Sequence, residues 1–124
     1  VAGIQDIKLI KWPHRESPTT ESVKREMERF GYGVYDLQTI PGWFERSSHA
    51  HDYDEIRGVT AGNTTFYFEG ALPVTLEPGD ILLIPGGIPH KVVSHNGNPF
   101  TAYKGSTTGA RSVTEHGDGK GRTE

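Results

Sequence analysis

Three histidines and a glutamate, His49, His51, Glu55 and His90, stand at spacings that could hold a metal ion. His49 and His51 are two apart, and on a strand the side-chain period of two would send both imidazoles out of one face. Three residues then lead to Glu55, room for a tight turn, and His90 opens a later apolar segment. Three imidazoles and one carboxylate make a borderline nitrogen and oxygen set, suited to Fe(II), Mn(II), Ni(II), Co(II) or Zn(II). Four protein ligands leave one or two octahedral positions for water or a small molecule, which chemistry at the metal requires. Taken alone, a His-x-His pair is weak evidence, and a single glutamate is more often a surface residue. The punctuation around them carries the weight.

The elements that must position these residues are short. Residues 4–12 read as a strand closed by Pro13. One amphipathic helix follows over about 18–30, with Ser17 as its cap, Pro18 at the first helical position and Gly31 past its end. Val23, Met27 and Phe30 fall on one face of it, at i, i+4 and i+7. From Tyr32 onward the pattern predicts strands at 33–40, 43–51, 55–60, 64–69, 73–76, 80–84, 90–94 and 100–104. Gly, Pro and Asn turns such as Pro41-Gly42, Ala61-Gly62-Asn63 and Asn96-Gly97 separate them. Closely spaced strands of this kind predict an all-β sandwich or barrel with one helix lying on a sheet.

Composition narrows the function classes. A chain of 124 residues with 16 Gly and 8 Pro suits one turn-rich domain. The net charge of −3 offers no field for nucleic acid or for a membrane surface. No apolar run is long enough to span a bilayer. Cysteine is absent, which removes disulfides, thiolate metal sites and cysteine nucleophiles, and makes a cytoplasmic location the default expectation. Residues 1–105 are expected to form the domain. Residues 106–124, rich in Gly, Ser, Thr and charge, are expected to be a disordered tail.

The stretch from Gly42 through His49, His51 and Glu55 to Gly62 resembles the first motif of the cupin superfamily: Gly, a spacer, HxH, three or four residues, Glu, six residues, Gly. The stretch from Gly79 through Pro85, Gly87 and His90 to Ser94 resembles the second: Gly, five residues, PxG, two residues, His, three residues, Asn. The first spacer has six residues where five are usual, and Ser94 replaces an Asn that is not a metal ligand in the family. The resemblance implies an all-β double-stranded β-helix, the jelly-roll barrel of the cupins. It implies one divalent transition metal on His49, His51, Glu55 and His90, and, from small cupins, a homodimer. Gly62 and Gly79 would then occupy turns that need positive φ or a tight backbone approach, and Pro85-Gly86-Gly87 would bend the chain to aim His90 inward. Locally, Glu55-Ile56-Arg57 and the Gly79-to-His90 stretch resemble the acireductone dioxygenase branch, although the chain is shorter than those enzymes and lacks their N-terminal helices.

If Glu55 points inward, alternation turns Arg57 and Val59 inward too. A guanidinium beside a metal needs a compensating anion, either a substrate carboxylate, enolate or phosphate, or a protein carboxylate such as Asp36, Glu45 or Glu69. Phe66 and Phe68 are expected inside, as core or as the apolar wall of a ligand cavity. Tyr53, between the histidine pair and Glu55, is the candidate acid/base or gating group, and Glu55 is the other candidate for proton transfer. His14, His95 and His116 read as surface residues. The leading expectation is an Fe- or Mn-dependent dioxygenase acting on a small oxygenated anion. An isomerase or lyase at the same metal and a module that binds or senses a small ligand without turnover are the alternatives.

Overall fold

A computed structural model describes residues 3–43 and 47–107. Residues 108–124, most of the expected tail and His116 with it, lie outside the described residues, as do 44–46. Among the described residues, eight strands form two antiparallel sheets. They are β1 (Lys8–Ile10), β2 (Gly33–Ile40), β3 (Glu55–Ala61), β4 (Thr64–Phe68), β5 (Val74–Leu76), β6 (Ile81–Ile84), β7 (His90–Ser94) and β8 (Phe100–Ser106). The larger sheet runs β1-β6-β3-β8-β2 and the smaller β5-β4-β7. Between them lies a core of Ile40, Val59, Phe66, Phe68, Leu82, Ile84, Val92 and Phe100 with their neighbours. The double-stranded β-helix expected from the resemblance is the fold observed.

The helix α1 (Thr20–Glu28) closes the outer face of the larger sheet. Val23 and Met27, both fully buried, pack on Ile56, Ile81 and Tyr103. This outer layer explains why β3 is buried on both faces over Glu55, Ile56, Arg57, Gly58 and Val59. The close approach depends on Gly58, where a Cβ would stand 2.5 Å from the Met27 sulfur. Gly62 and Gly79 take the positive φ expected of them, +73° and +93°.

Four expectations are corrected. The strand at 4–12 forms only as β1, after a 3-10 turn at Ile4–Asp6. The helix cap is Thr19, not Ser17: Thr19 Oγ1 accepts from the Ser22 amide at 3.0 Å, and Ser22 Oγ accepts from the Thr19 amide at 2.7 Å. This reciprocal box satisfies donors that Ser17 is too far upstream to reach. Because the helix ends at Glu28, Phe30 falls beyond it and is 40% exposed. The strand expected at 43–51 is absent among its described residues, where only His49 makes a bridge, to His90. A smaller difference lies at the far end, where β8 runs through the fully buried Ser106, past the boundary expected at 105.

Candidate metal centre

Glu55 and His90 come from the barrel wall. Glu55 opens β3, opposite Ile84 of β6 on one side and Ser106 of β8 on the other. His90 opens β7, opposite Phe68 of β4. Both residues are 1% exposed. His49 and His51 come from the connection that leads from β2 to β3, and they are half-buried. Two backbone bonds between His49 and His90, of 3.0 and 2.8 Å, hold that connection against β7. The Gly87 amide donates to the His51 carbonyl, and the Gly86 amide donates to Asp54 Oδ1 at 2.8 Å. A Cβ on Gly86 would press on the Tyr53 backbone at 3.1 Å. The Pro85-Gly86-Gly87 turn therefore does two things: it leads into His90 and it seats the segment that carries His51.

One ring nitrogen each of His49, His51 and His90 lies within 4.8 Å of the others. Glu55 Oε1 lies 3.7 Å from His51 Nε2 and 3.4 Å from His90 Nε2. The other ring nitrogens identify the tautomers of two imidazoles. His90 Nδ1 stands 3.0 Å from the Ile88 carbonyl and His49 Nδ1 stands 3.2 Å from the Ser47 carbonyl. A carbonyl only accepts, so each Nδ1 carries a proton, and in the neutral imidazole this leaves Nε2 as the lone-pair donor that a metal needs. Lone pairs and a carboxylate oxygen facing one another in a buried space repel unless a cation sits between them. The donor set therefore fits a divalent transition metal, bound by neutral imidazoles and assisted by one carboxylate.

The residues around this cluster fall close to their expected places. Arg57 faces the interior, and its Nη1 donates to Glu55 Oε2 at 3.2 Å. That bond leaves Oε1 turned toward the imidazoles, and it makes Glu55 itself a carboxylate that compensates the guanidinium. The guanidinium carbon lies 5.3 Å from the Phe66 ring centre, within cation–π range. Phe66 and Phe68 are both buried, each with its ring centre 6.2 Å from that of His90. Tyr53 is buried and stacks on His51, with ring centres 4.9 Å apart and planes 14° from parallel. His14 is an exposed surface residue, 2.8 Å from Glu26.

Sequence reasoning missed Lys104. It is 2% exposed on β8, directly opposite Arg57, and shares the interior face with Phe100 and Ala102. The alternation from Phe100 through Ala102 was the signal that could have found it.

Known proteins place this architecture. The structure is similar to acireductone dioxygenase from Bacillus anthracis, solved with a cadmium ion in its active centre, at 20% identity and TM-score 0.61, covering 82% of this chain and 78% of that one. It is also similar to the DMSP lyase DddQ from Ruegeria pomeroyi, at 31% identity and TM-score 0.52, covering 56% of this chain and 35% of that one. A third likeness is to a cupin-2 domain protein from Shewanella frigidimarina, at 26% identity and TM-score 0.49, covering 55% and 63% of the two chains. This chain thus spans less than two thirds of the length of the latter two. No described helix is long and apolar enough to cross a membrane. The family model for the cupin domain matches residues 37–103, more than half of the sequence and the whole of the candidate centre. The chain belongs to the cupin family.

Proposed function

We propose that this protein is a metal-dependent enzyme that oxygenates a small anion rich in oxygen. The observation that carries this reading is the convergence of the His49, His51 and His90 ring nitrogens with Glu55 Oε1, beside an inward guanidinium. When bound, Fe(II) or Mn(II) would supply Lewis acidity and, toward dioxygen, redox reactivity. The three histidines would hold it, with Glu55 as the fourth ligand. Arg57 keeps Glu55 Oε2 engaged and is near enough to meet an anionic group of the substrate. Phe66 and Phe68 form a wall that keeps water from this side of the centre. Tyr53, stacked on His51, and Glu55 are the groups placed to move a proton.

The test is metal analysis, followed by oxygen uptake with the iron-loaded protein against small diketones, catechols and hydroxy acids. Oxygen consumption that disappears in His90→Ala supports the reading. A metal-loaded protein that consumes no oxygen with any of them would remove oxygenation. The likeness to a DMSP lyase, the highest identity among the three comparisons, favours elimination as the second reading. Turnover that persists without oxygen selects it, and tight binding with turnover under neither condition selects a binding module.

A further inference from the structure

Cross-strand register puts a second cation beside the metal centre. Residues directly opposite one another in antiparallel strands share a face. One such row runs Asp36, Lys104, Arg57, Leu82 across β2, β8, β3 and β6. Leu82 belongs to the interior core and Arg57 lies against Phe66, so the whole row faces the barrel interior. Burial agrees: Arg57 and Lys104 are both buried, and Asp36, on the edge strand, is half-buried. The neighbouring row holds Ser106, Glu55 and Ile84.

Charges next to Glu55 on this face can be summed among the described residues, since Asp80, buried farther along the sheet, is matched by Lys11. Glu55 and Asp36 bring two negative charges, and Arg57 and Lys104 bring two positive ones. The imidazoles are neutral as metal ligands. The protein groups alone therefore balance, and a divalent ion leaves two positive charges in excess. Excess charge in a desolvated space is strongly unfavourable unless a counter-charge enters with it. We infer that the centre is built for a small dianion, a dicarboxylate or a carboxylate bearing a second acidic oxygen. One acidic group faces the metal position, and the other is held by Arg57 and Lys104. This rests on the metal reading above and deepens it by naming the charge of the substrate. A ligand carrying its own cationic group is disfavoured for the same reason.

Oxalate and oxamate test the inference, since they are nearly the same shape and differ by one negative charge. Their dissociation constants would be measured by calorimetry on Co(II)-loaded protein, with cobalt content determined before and after. Wild type should prefer oxalate by about tenfold or more, and Lys104→Gln should reduce that preference about tenfold while keeping its cobalt. Asp36→Asn acts in the opposite sense: it removes a negative charge from the same row and should raise the preference for oxalate. It also keeps the test sharp if Lys104→Gln does not fold. Full cobalt content with a preference that neither substitution moves would overturn the dianion inference alone. Wild type that takes up no cobalt would remove the metal reading, and this inference with it.

Discussion

Glu55 and His90 enter the candidate metal centre from strands, whereas His49 and His51 enter it from a connection. Glu55 sits on β3, bonded on both sides by β6 and β8, and His90 sits on β7 against β4. The segment carrying His49 and His51 is held by the bridge to His90, by the Gly87 amide on the His51 carbonyl and by Asp54 on the Gly86 amide. The first pair is almost fully buried and the second is less enclosed, His51 keeping 12% of its side chain exposed. The difference teaches where the centre is rigid and where it is open. Strands provide a desolvated wall tied along its length, and the connection, tied at a few backbone bonds, carries the less enclosed pair of candidate ligands.

The largest expected effect breaks the wall. Glu55→Ala removes the carboxylate bonded to Arg57 and strips a buried guanidinium of that counter-charge. The metal-free protein should lose about 3–5 kcal/mol in urea denaturation. Adding Arg57→Met should restore part of that loss, and a double variant as weak as the single one would argue against the coupling. Next comes a contrast across the two halves. His90→Ala should cost the metal-free protein about 2–3 kcal/mol, because it empties buried volume beside Phe66 and Phe68. His51→Ala should cost less, about 1–2 kcal/mol, since its side chain, 12% exposed, is less fully enclosed than that of His90, although both variants should lose most of the metal. Equal costs would erase the distinction between wall and connection.

Metal addition should sharpen the comparison in another way. At a hundredfold excess over its dissociation constant, a metal bound only by the native state should stabilise it by about 2.7 kcal/mol. Hydrogen exchange should then slow more along 47–54 than along β3, and uniform slowing would contradict a more sparsely tied half. The smallest effect lies at the far end of the larger sheet. A hydrogen bond to Asp80 is the main cause that raises the Lys11 pKa above 10.5, with Glu77 adding to it and burial opposing. A raised folded-state value means the pair stabilises below pH 10.5 and loses that contribution as pH climbs through the raised value. Lys11 is largely exposed, so Lys11→Met should cost only a few tenths to about 1 kcal/mol at neutral pH. The gap between variant and wild type should close in strongly alkaline buffer.

Much of this architecture was legible in the residues, for reasons that differ from place to place. The motif spacing led to the centre because the turns at Gly62, Gly79 and Gly87 do take the positive φ that favours glycine, so the pattern follows backbone geometry. Parity on β3 placed Arg57 inside correctly, since a strand paired on both sides cannot rotate away from its alternation. For His49 and His51 the rings do converge as expected, but no strand carries them among the described residues. Alternation is local, but a strand needs a neighbour over several residues, and among the described residues of this segment β7 bridges it at His90 alone. Ser17 and Thr19 are both hydroxyl residues, so propensity alone could not choose the helix cap. Lys104 was overlooked because a lysine near a strand end resembles a surface residue. Only the two ladders of β8 reveal what stands opposite it.

The central claim is that one transition metal sits where the two halves meet. Anomalous diffraction from crystals grown with Mn(II) or Zn(II) tests it directly. One peak per chain is expected, about 2.0–2.3 Å from a ring nitrogen of His49, His51 and His90 and from Glu55 Oε1. No peak, a peak on surface carboxylates, or a bound metal beyond reach of Glu55 Oε1 would contradict the account.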